Sequence, residues 1–234
     1  MIAQQRILSI LVATFGLLFV GNVLSQENLT EENLSSESAG QEAQTTVEQW
    51  NFNVFLGKKK IGEHRFTVSS TDDVRSVESV ANFKYTVLRI PVYRYQHNAK
   101  ERWTGNCLTR MEASTNANGK KINVAGETAD NGFHVESETE KLELPECVMS
   151  FAYWNPDFLE QQSLLNPQTG EYVEVTVEEL AEETLQVRGE PVQARRFRLT
   201  AYKTDVTLWY SSNNEWLALE SVAKGGRIVR YELS

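Results

Sequence analysis

The sequence predicts an all-β domain: one strongly curled antiparallel sheet, a half-barrel or barrel, with one short helix. Three observations carry that expectation. Apolar and aromatic side chains alternate with polar ones over most of the chain beyond residue 49. Turn-forming clusters such as Asn118-Gly119 and Lys224-Gly225-Gly226 separate these runs at short intervals. Long amphipathic segments of the kind that connect parallel strands are missing. About a dozen strands joined this way pair antiparallel, and a sheet of that size is expected to curl into a barrel or half-barrel.

Taken in order, Trp50, Phe52, Val54 and Leu56 share one parity against Asn51 and Asn53, which makes a half-buried strand. Gly57-Lys58-Lys59-Lys60 breaks it, and Ile61 to Ser69 returns as a hairpin partner with His64, Phe66 and Val68 on one face. The same alternation marks Val74 to Leu88, Val92 to Trp103 (Tyr93, Tyr95, His97) and Asn106 to Ser114 (Cys107, Thr109, Met111). Asn118-Gly119 is the strongest turn signal, because both central positions of a tight hairpin need positive φ. Lys121 to Glu127 and Gly132 to Ser137 pair around Asp130-Asn131-Gly132.

Asn155-Pro156 places a capping side chain before a proline at the first helical position, and Phe158-Leu159 with Leu164-Leu165 supplies an apolar stripe, so a short helix over 156–162 is expected. Strands resume at Tyr172 to Val177, Thr184 to Arg188, Val192 to Tyr202, Asp205 to Tyr210, Trp216 to Val222 and Arg227 to Leu233. The acidic run Glu178 to Glu183 reads as the end of a strand passing into a loop. The five Trp, eight Tyr and ten Phe are expected to line the concave interior.

Ahead of these strands, Arg6 precedes an almost wholly apolar stretch, Ile7 to Leu24, that ends in short side chains at Val23-Leu24-Ser25. That is the layout of a secretory signal, with cleavage expected near Ser25 and Gln26; the alternative is an uncleaved anchor, since about 18 apolar residues is the lower limit for a span. Residues 26–48 hold six acidic residues, no basic ones and no aromatics, a composition that cannot bury enough apolar surface to fold. The expected organisation is therefore signal 1–25, acidic linker 26–48 and a single all-β domain 49–234, in a periplasmic or secreted protein.

Charge and motifs bound the chemistry. The chain carries 23 Lys plus Arg against 32 Asp plus Glu, a net charge of −9. That balance argues against electrostatic capture of nucleic acid or of an anionic membrane surface. Much of the acidity sits in the linker, and the domain itself carries only about −4. Neither a nucleophile elbow nor a glycine-rich phosphate loop occurs, so no catalytic residue is assigned and an enzyme is not the expected class.

Cys107 and Cys147 are the only cysteines. In an oxidising compartment such a pair is either a disulfide, adding about 4 kcal/mol in the chain-entropy model, or two free thiols in separate strands; sequence does not show whether their Cα atoms come within about 7 Å. His64, His97 and His134 are scattered, and on a strand His97 and Glu101 lie about 13 Å apart, too far to chelate one metal. No metal or other cofactor is expected. The run Tyr93, Tyr95, His97 and Trp103, with Arg94, Glu101 and Arg102 between, is the densest mixture of rings and polar tips and is the candidate ligand-binding row. Its plainer reading is a strand packing aromatics inward with Arg94 and Arg102 in solvent.

The succession Gly57 to Gly62, Tyr93-Arg94-Tyr95-Gln96-His97, Glu101-Arg102-Trp103, Thr115-Asn116-Ala117-Asn118-Gly119, Tyr153-Trp154-Asn155, Leu165 to Gly170 and Leu208-Trp209-Tyr210 resembles an uncharacterised family of exported bacterial all-β proteins, a domain of unknown function. That family is distantly similar to the curved-sheet lipoprotein carriers of the periplasm. The resemblance implies fold and compartment but no catalytic residues. Two functions are expected to compete: a periplasmic binding or carrier module for an apolar or lipid-like ligand, and a structural or interaction protein with a filled core that meets an envelope protein partner through a sheet edge.

Overall fold

A computed structural model describes residues 44–234 apart from 203 and 224. The expected signal and nearly all of the expected linker lie outside the described residues. Fourteen strands follow one another: β1 (Thr46–Leu56), β2 (Lys59–Thr71), β3 (Val74–Val87), β4 (Ile90–Thr104), β5 (Cys107–Ala117), β6 (Lys120–Ala129), β7 (Gly132–Ser137) and β8 (Lys141–Leu144), then β9 (Ser163–Leu165), β10 (Tyr172–Val187), β11 (Glu190–Ala201), β12 (Thr204–Tyr210), β13 (Trp216–Ala223) and β14 (Arg227–Leu233). They form one sheet in the order β8-β7-β6-β5-β4-β3-β2-β1-β14-β13-β12-β11-β10-β9. Both halves are meanders, joined where the first strand pairs antiparallel with the last.

Register fixes which side chains share the inner face. Trp50 and Phe52 of β1 stand opposite Phe66 and His64 of β2. Opposite these lie Ser79 and Ala81 of β3, followed by Ala99 and His97 of β4. On the other side of β1, Phe52 and Val54 face Leu233 and Tyr231; Leu219, Leu208 and Phe197 continue the row. Trp50, Phe52, Phe66 and Ala99 from one half and Leu233, Leu219, Leu208 and Phe197 from the other meet in one hydrophobic cluster. Trp209 is the exception among the tryptophans: it alternates with Leu208 and Tyr210, and its indole N–H donates to Glu183 at 3.2 Å.

All-β antiparallel architecture is as expected, but closure is not. The ladder is linear, its ends β8 and β9 do not pair, and neither a closed barrel nor a tight half-barrel forms. The physical reason is the stretch between those two strands, which makes with irregular backbone the bonds that a closing strand pair would make. The Leu108 N–H donates to Val148 O at 2.9 Å, the Leu165 N–H to Met149 O at 2.8 Å and the Phe151 N–H to Leu165 O at 3.2 Å. Residues 145–162 thus form a strap from the start of β5 to the edge of β9. Cys107 and Cys147 are joined by a disulfide, with Cα atoms 4.7 Å apart, which fastens the strap at one end. Tyr210 O–H donates to Tyr153 O at 2.7 Å and holds the other part.

Several local expectations are corrected by packing. The helix over 156–162 is a single 3-10 turn, Pro156–Glu160; Asn155 caps it by accepting the Asp157 N–H, and Phe158 is its only buried residue. Leu164 and Leu165, expected to belong to the helical stripe, sit instead in β9. β8 was not foreseen, and β10 is one strand through the acidic run rather than two, because Glu178, Glu179 and Glu183 pair across the ladder with Arg198, Arg195 and Arg196. A bulge between Arg102 and Trp103 sets Trp103 opposite Leu108 and leaves Thr109 unpaired, so Leu108, not Cys107 or Thr109, joins Met111 inside. β1 begins at Thr46, inside the stretch read as linker, although its first four residues are exposed.

Candidate functional site

β4 carries the candidate row. Because side chains alternate along a strand, Tyr93, Tyr95, His97, Ala99, Glu101 and Trp103 all point to the inner face. The row is graded. Tyr93 is 37% exposed, Tyr95 half-buried, His97 4% exposed and Trp103 fully buried. The rings stack toward the open end: Tyr93 on Tyr95 at 6.5 Å, Tyr95 on His97 at 6.4 Å, and Tyr95 on Phe83 of β3 at 5.2 Å between centroids. All four residues expected in the row are therefore brought together by one strand, at two ends with different surroundings.

The deep end is filled. Trp103 meets Trp154 of the strap edge-on at 5.5 Å and donates its indole N–H to Glu101 at 3.0 Å. Burial pushes the Glu101 carboxyl up to about 7, against the opposing effect of hydrogen bonds from Ser150 and Trp103. At that value Glu101 exists as a mixture of acid and carboxylate near neutral pH.

The middle of the row is joined by residues that sequence reasoning did not connect. His64 on β2 and His97 on β4 flank Ala81 of β3, which stands opposite both. His64 Nε2 lies 2.7 Å from Ser79 Oγ and its Nδ1 3.4 Å from Tyr231 O–H; His97 Nδ1 lies 2.9 Å from Thr115 Oγ1. Burial, and then the neighbouring His97, bring His64 down to about 3; burial alone brings His97 down to about 4. Both imidazoles are neutral at ordinary pH. His134 stays apart, 2.7 Å from Asn131 Oδ1 in the turn beside it. The period-two phase of the strands was the signal that could have grouped His64 with His97; what it lacked was the strand order.

Among the described residues neither imidazole is hydrogen-bonded to a carboxylate that would orient it as a base, and burial makes His64, beside Ser79, a weak one. Among the described residues no cluster of three His, Cys, Asp or Glu side chains could hold a metal ion. Gly62 also belongs to the site: a Cβ there would lie 1.9 Å from Asn82 O, so only glycine lets β2 pass this close to β3. Beside it the Phe83 and Tyr231 rings meet edge-on at 6.2 Å.

An all-β domain built on one antiparallel ladder, with an aromatic row graded from rim to core, is the class these features define. The chain belongs to the family described as Domain of unknown function (DUF6134), whose model matches residues 52–234. Among solved structures it is similar to a protein from Brucella abortus described as a beta-barrel-like protein of domain of unknown function DUF1849, with a TM-score of 0.58, 10% identity, and coverage of 80% of this chain and 94% of that one. At that identity the likeness shows the fold alone. No curated protein matches the chain.

Proposed function

We propose that the domain is an exported binding module that receives an apolar or lipid-like ligand at the rim of the β4 row. The observation that carries this reading is the exposure gradient itself: a continuous stack of rings, Tyr93 to His97, opens at one end and is sealed at the other by Trp103 and the strap. Apolar walls with a few fixed polar tips are what ligand sites consist of. Burial raises the Tyr95 phenol above its ordinary range, so it stays protonated, and its O–H donates a hydrogen bond to Gln168 Oε1 at 2.7 Å. Gln168 belongs to the β9–β10 turn and is exposed, so a ligand can displace it.

The test is direct. Protein recovered after export and extracted with organic solvent should release a lipid at near-stoichiometric amount by mass spectrometry, and Tyr95→Ala should lose it while keeping its β-sheet circular dichroism. Lipid-free protein, together with no saturable uptake of a fluorescent fatty acid, would reject the reading.

A second reading has its own support. The core beneath the rim is filled, with Trp103, Trp216, Phe52 and Phe158 all fully buried, as in an interaction protein with no small ligand. In that case the partner pairs with β8, because the strap already covers the β9 edge.

A further inference from the structure

Antiparallel hairpins alternate between the two ends of a sheet, so the turns β1–β2, β3–β4, β5–β6 and β13–β14 fall at one end, together with β7–β8, β9–β10 and β11–β12. That end is basic around the first three of these turns. Lys58 lies in the first turn with Lys59 and Lys60 opening β2, Lys60 paired with Glu63 at 2.7 Å; Lys120 and Lys121 follow the third, and no acidic residue occurs between Glu78 and Glu101 around the second. Lys59 donates to Thr86 O, and both Lys59 and Arg227 lie over the Tyr85 ring, at 4.8 and 5.2 Å, which gathers cations from two other hairpins against β3–β4. The opposite end turns through Asp72-Asp73, Asp130-Asn131, Arg188-Gly189 and Asn214-Glu215, with Arg188 paired to Glu215 at 3.4 Å. A net charge of −9 therefore conceals a local basic patch around the β1–β2, β3–β4 and β5–β6 turns, and the argument from total charge against anionic surfaces does not apply there.

The β3–β4 tip adds an apolar feature to this charge. Leu88 is 92% exposed, and Ile90 and Val92 beside it are also exposed. Both central residues of this two-residue turn, Leu88 (φ 47°) and Arg89 (φ 69°), are left-handed. Asn118 (φ 53°) and Gly119 (φ 90°) serve the equivalent turn of β5–β6 with side chains suited to it. Leucine and arginine there are conformationally costly, and strain kept at an exposed tip points to a use. Lys84 and Arg94 stand directly opposite each other across the hairpin, a like-charge pair that costs the fold. They border a cleft of about 910 Å³ that also touches Pro91 and Val92.

We propose that this end of the sheet docks on an anionic lipid bilayer, with Leu88 and Ile90 entering the headgroup region while Lys58, Arg89, Lys84 and Arg94 meet lipid phosphates. Charge complementarity selects an anionic partner, and the exposed aliphatic tip selects a bilayer over nucleic acid, which offers such a side chain nothing to enter. This proposal goes beyond the ligand reading and stands without it.

The experiment is flotation of the full chain with vesicles of phosphatidylglycerol mixed with phosphatidylcholine, compared with phosphatidylcholine alone, at about 0.1 M and about 1 M salt. Two variants share the wild-type N-terminal stretch, so any contribution from it cancels. Leu88→Asn with Arg89→Gly installs the residues the turn prefers, and Lys84→Glu converts a repulsive pair into an attractive one. Both should fold at least as stably as wild type, yet bind anionic vesicles about fivefold or more weakly, with a shallower salt dependence. Undiminished binding by both variants, equal binding to the two vesicle types, or retention on single-stranded DNA without vesicle binding would overturn the proposal.

Discussion

The two ends of the β4 row present the same residue chemistry in opposite circumstances. At Trp103 an indole N–H, a carboxylate and a second indole are locked together under the strap. At Tyr93 an aromatic ring of comparable bulk stacks on its neighbour but keeps more than a third of its surface in solvent. Both ends continue one alternating pattern on one strand. Burial is therefore decided by what covers the strand, the strap at one end and open space at the other, and not by the strand's own sequence.

Substitutions along the row can break or sharpen that contrast. Trp103→Ala should have the largest effect, about 3–5 kcal/mol of stability measured by denaturant unfolding, because it empties a fully buried site that cannot collapse. If the loss were under about 1 kcal/mol, the deep end would not be the closed core described here. Cys107→Ser with Cys147→Ser should cost somewhat less, about 2–4 kcal/mol, since the bond closes a loop across a separation of 40 residues. Trp103 fluorescence should also become more accessible to quenchers in that variant, because the strap has lost its anchor.

Titration divides the row in the same place. Glu101, raised to about 7, keeps its proton in the folded protein where the unfolded chain has already released it, so its contribution to stability is complete at low pH and declines as pH rises from about 4.5 to 7. His64 and His97, lowered to about 3 and 4, act in reverse: their contribution is complete above about 6.5 and declines as pH falls toward 4. Between about pH 4.5 and 6.5 the unfolded chain holds two more imidazole protons and one fewer carboxyl proton than the folded one. Stability should then rise with pH by about one proton net, and Glu101→Gln should steepen that slope to about two. An unchanged slope in the variant would mean that Glu101 is not desolvated.

Smaller effects belong to the open end. Tyr95→Phe removes one hydrogen bond to an exposed partner and should cost about 0.5–1.5 kcal/mol. Tyr93→Ala should fall within about 0.5 kcal/mol, as expected for a residue that only edges the structure. A larger loss at Tyr93 than at Tyr95 would invert the gradient and remove the basis for placing a ligand there.

Much of this was legible in the sequence. Alternation located twelve of the strands in outline, since an aromatic or β-branched residue at every second position leaves few other foldings. The Tyr93, Tyr95, His97 and Trp103 row followed from the same period. What failed was whatever depended on partners distant in the chain. The acidic run of β10 looks like a loop until the arginines of β11 are placed beside it. His64 and His97 seem unrelated until β3 is set between them. Leu164 and Leu165 fit a helical stripe as well as an edge strand, and only the backbone bonds to the strap decide between them.

The strap has one more consequence, for self-association. An open ladder of this length carries two unpaired borders, each a template on which a second copy could extend the sheet. β8 is blunted by its brevity and by Lys141 and Glu143, while β9, with two fully buried leucines, is shielded only by residues 148–151 lying against it. Reduction of the disulfide would loosen that shield before it unravelled the core, so chains kept in a reducing environment should form fibrous aggregates that grow from β9.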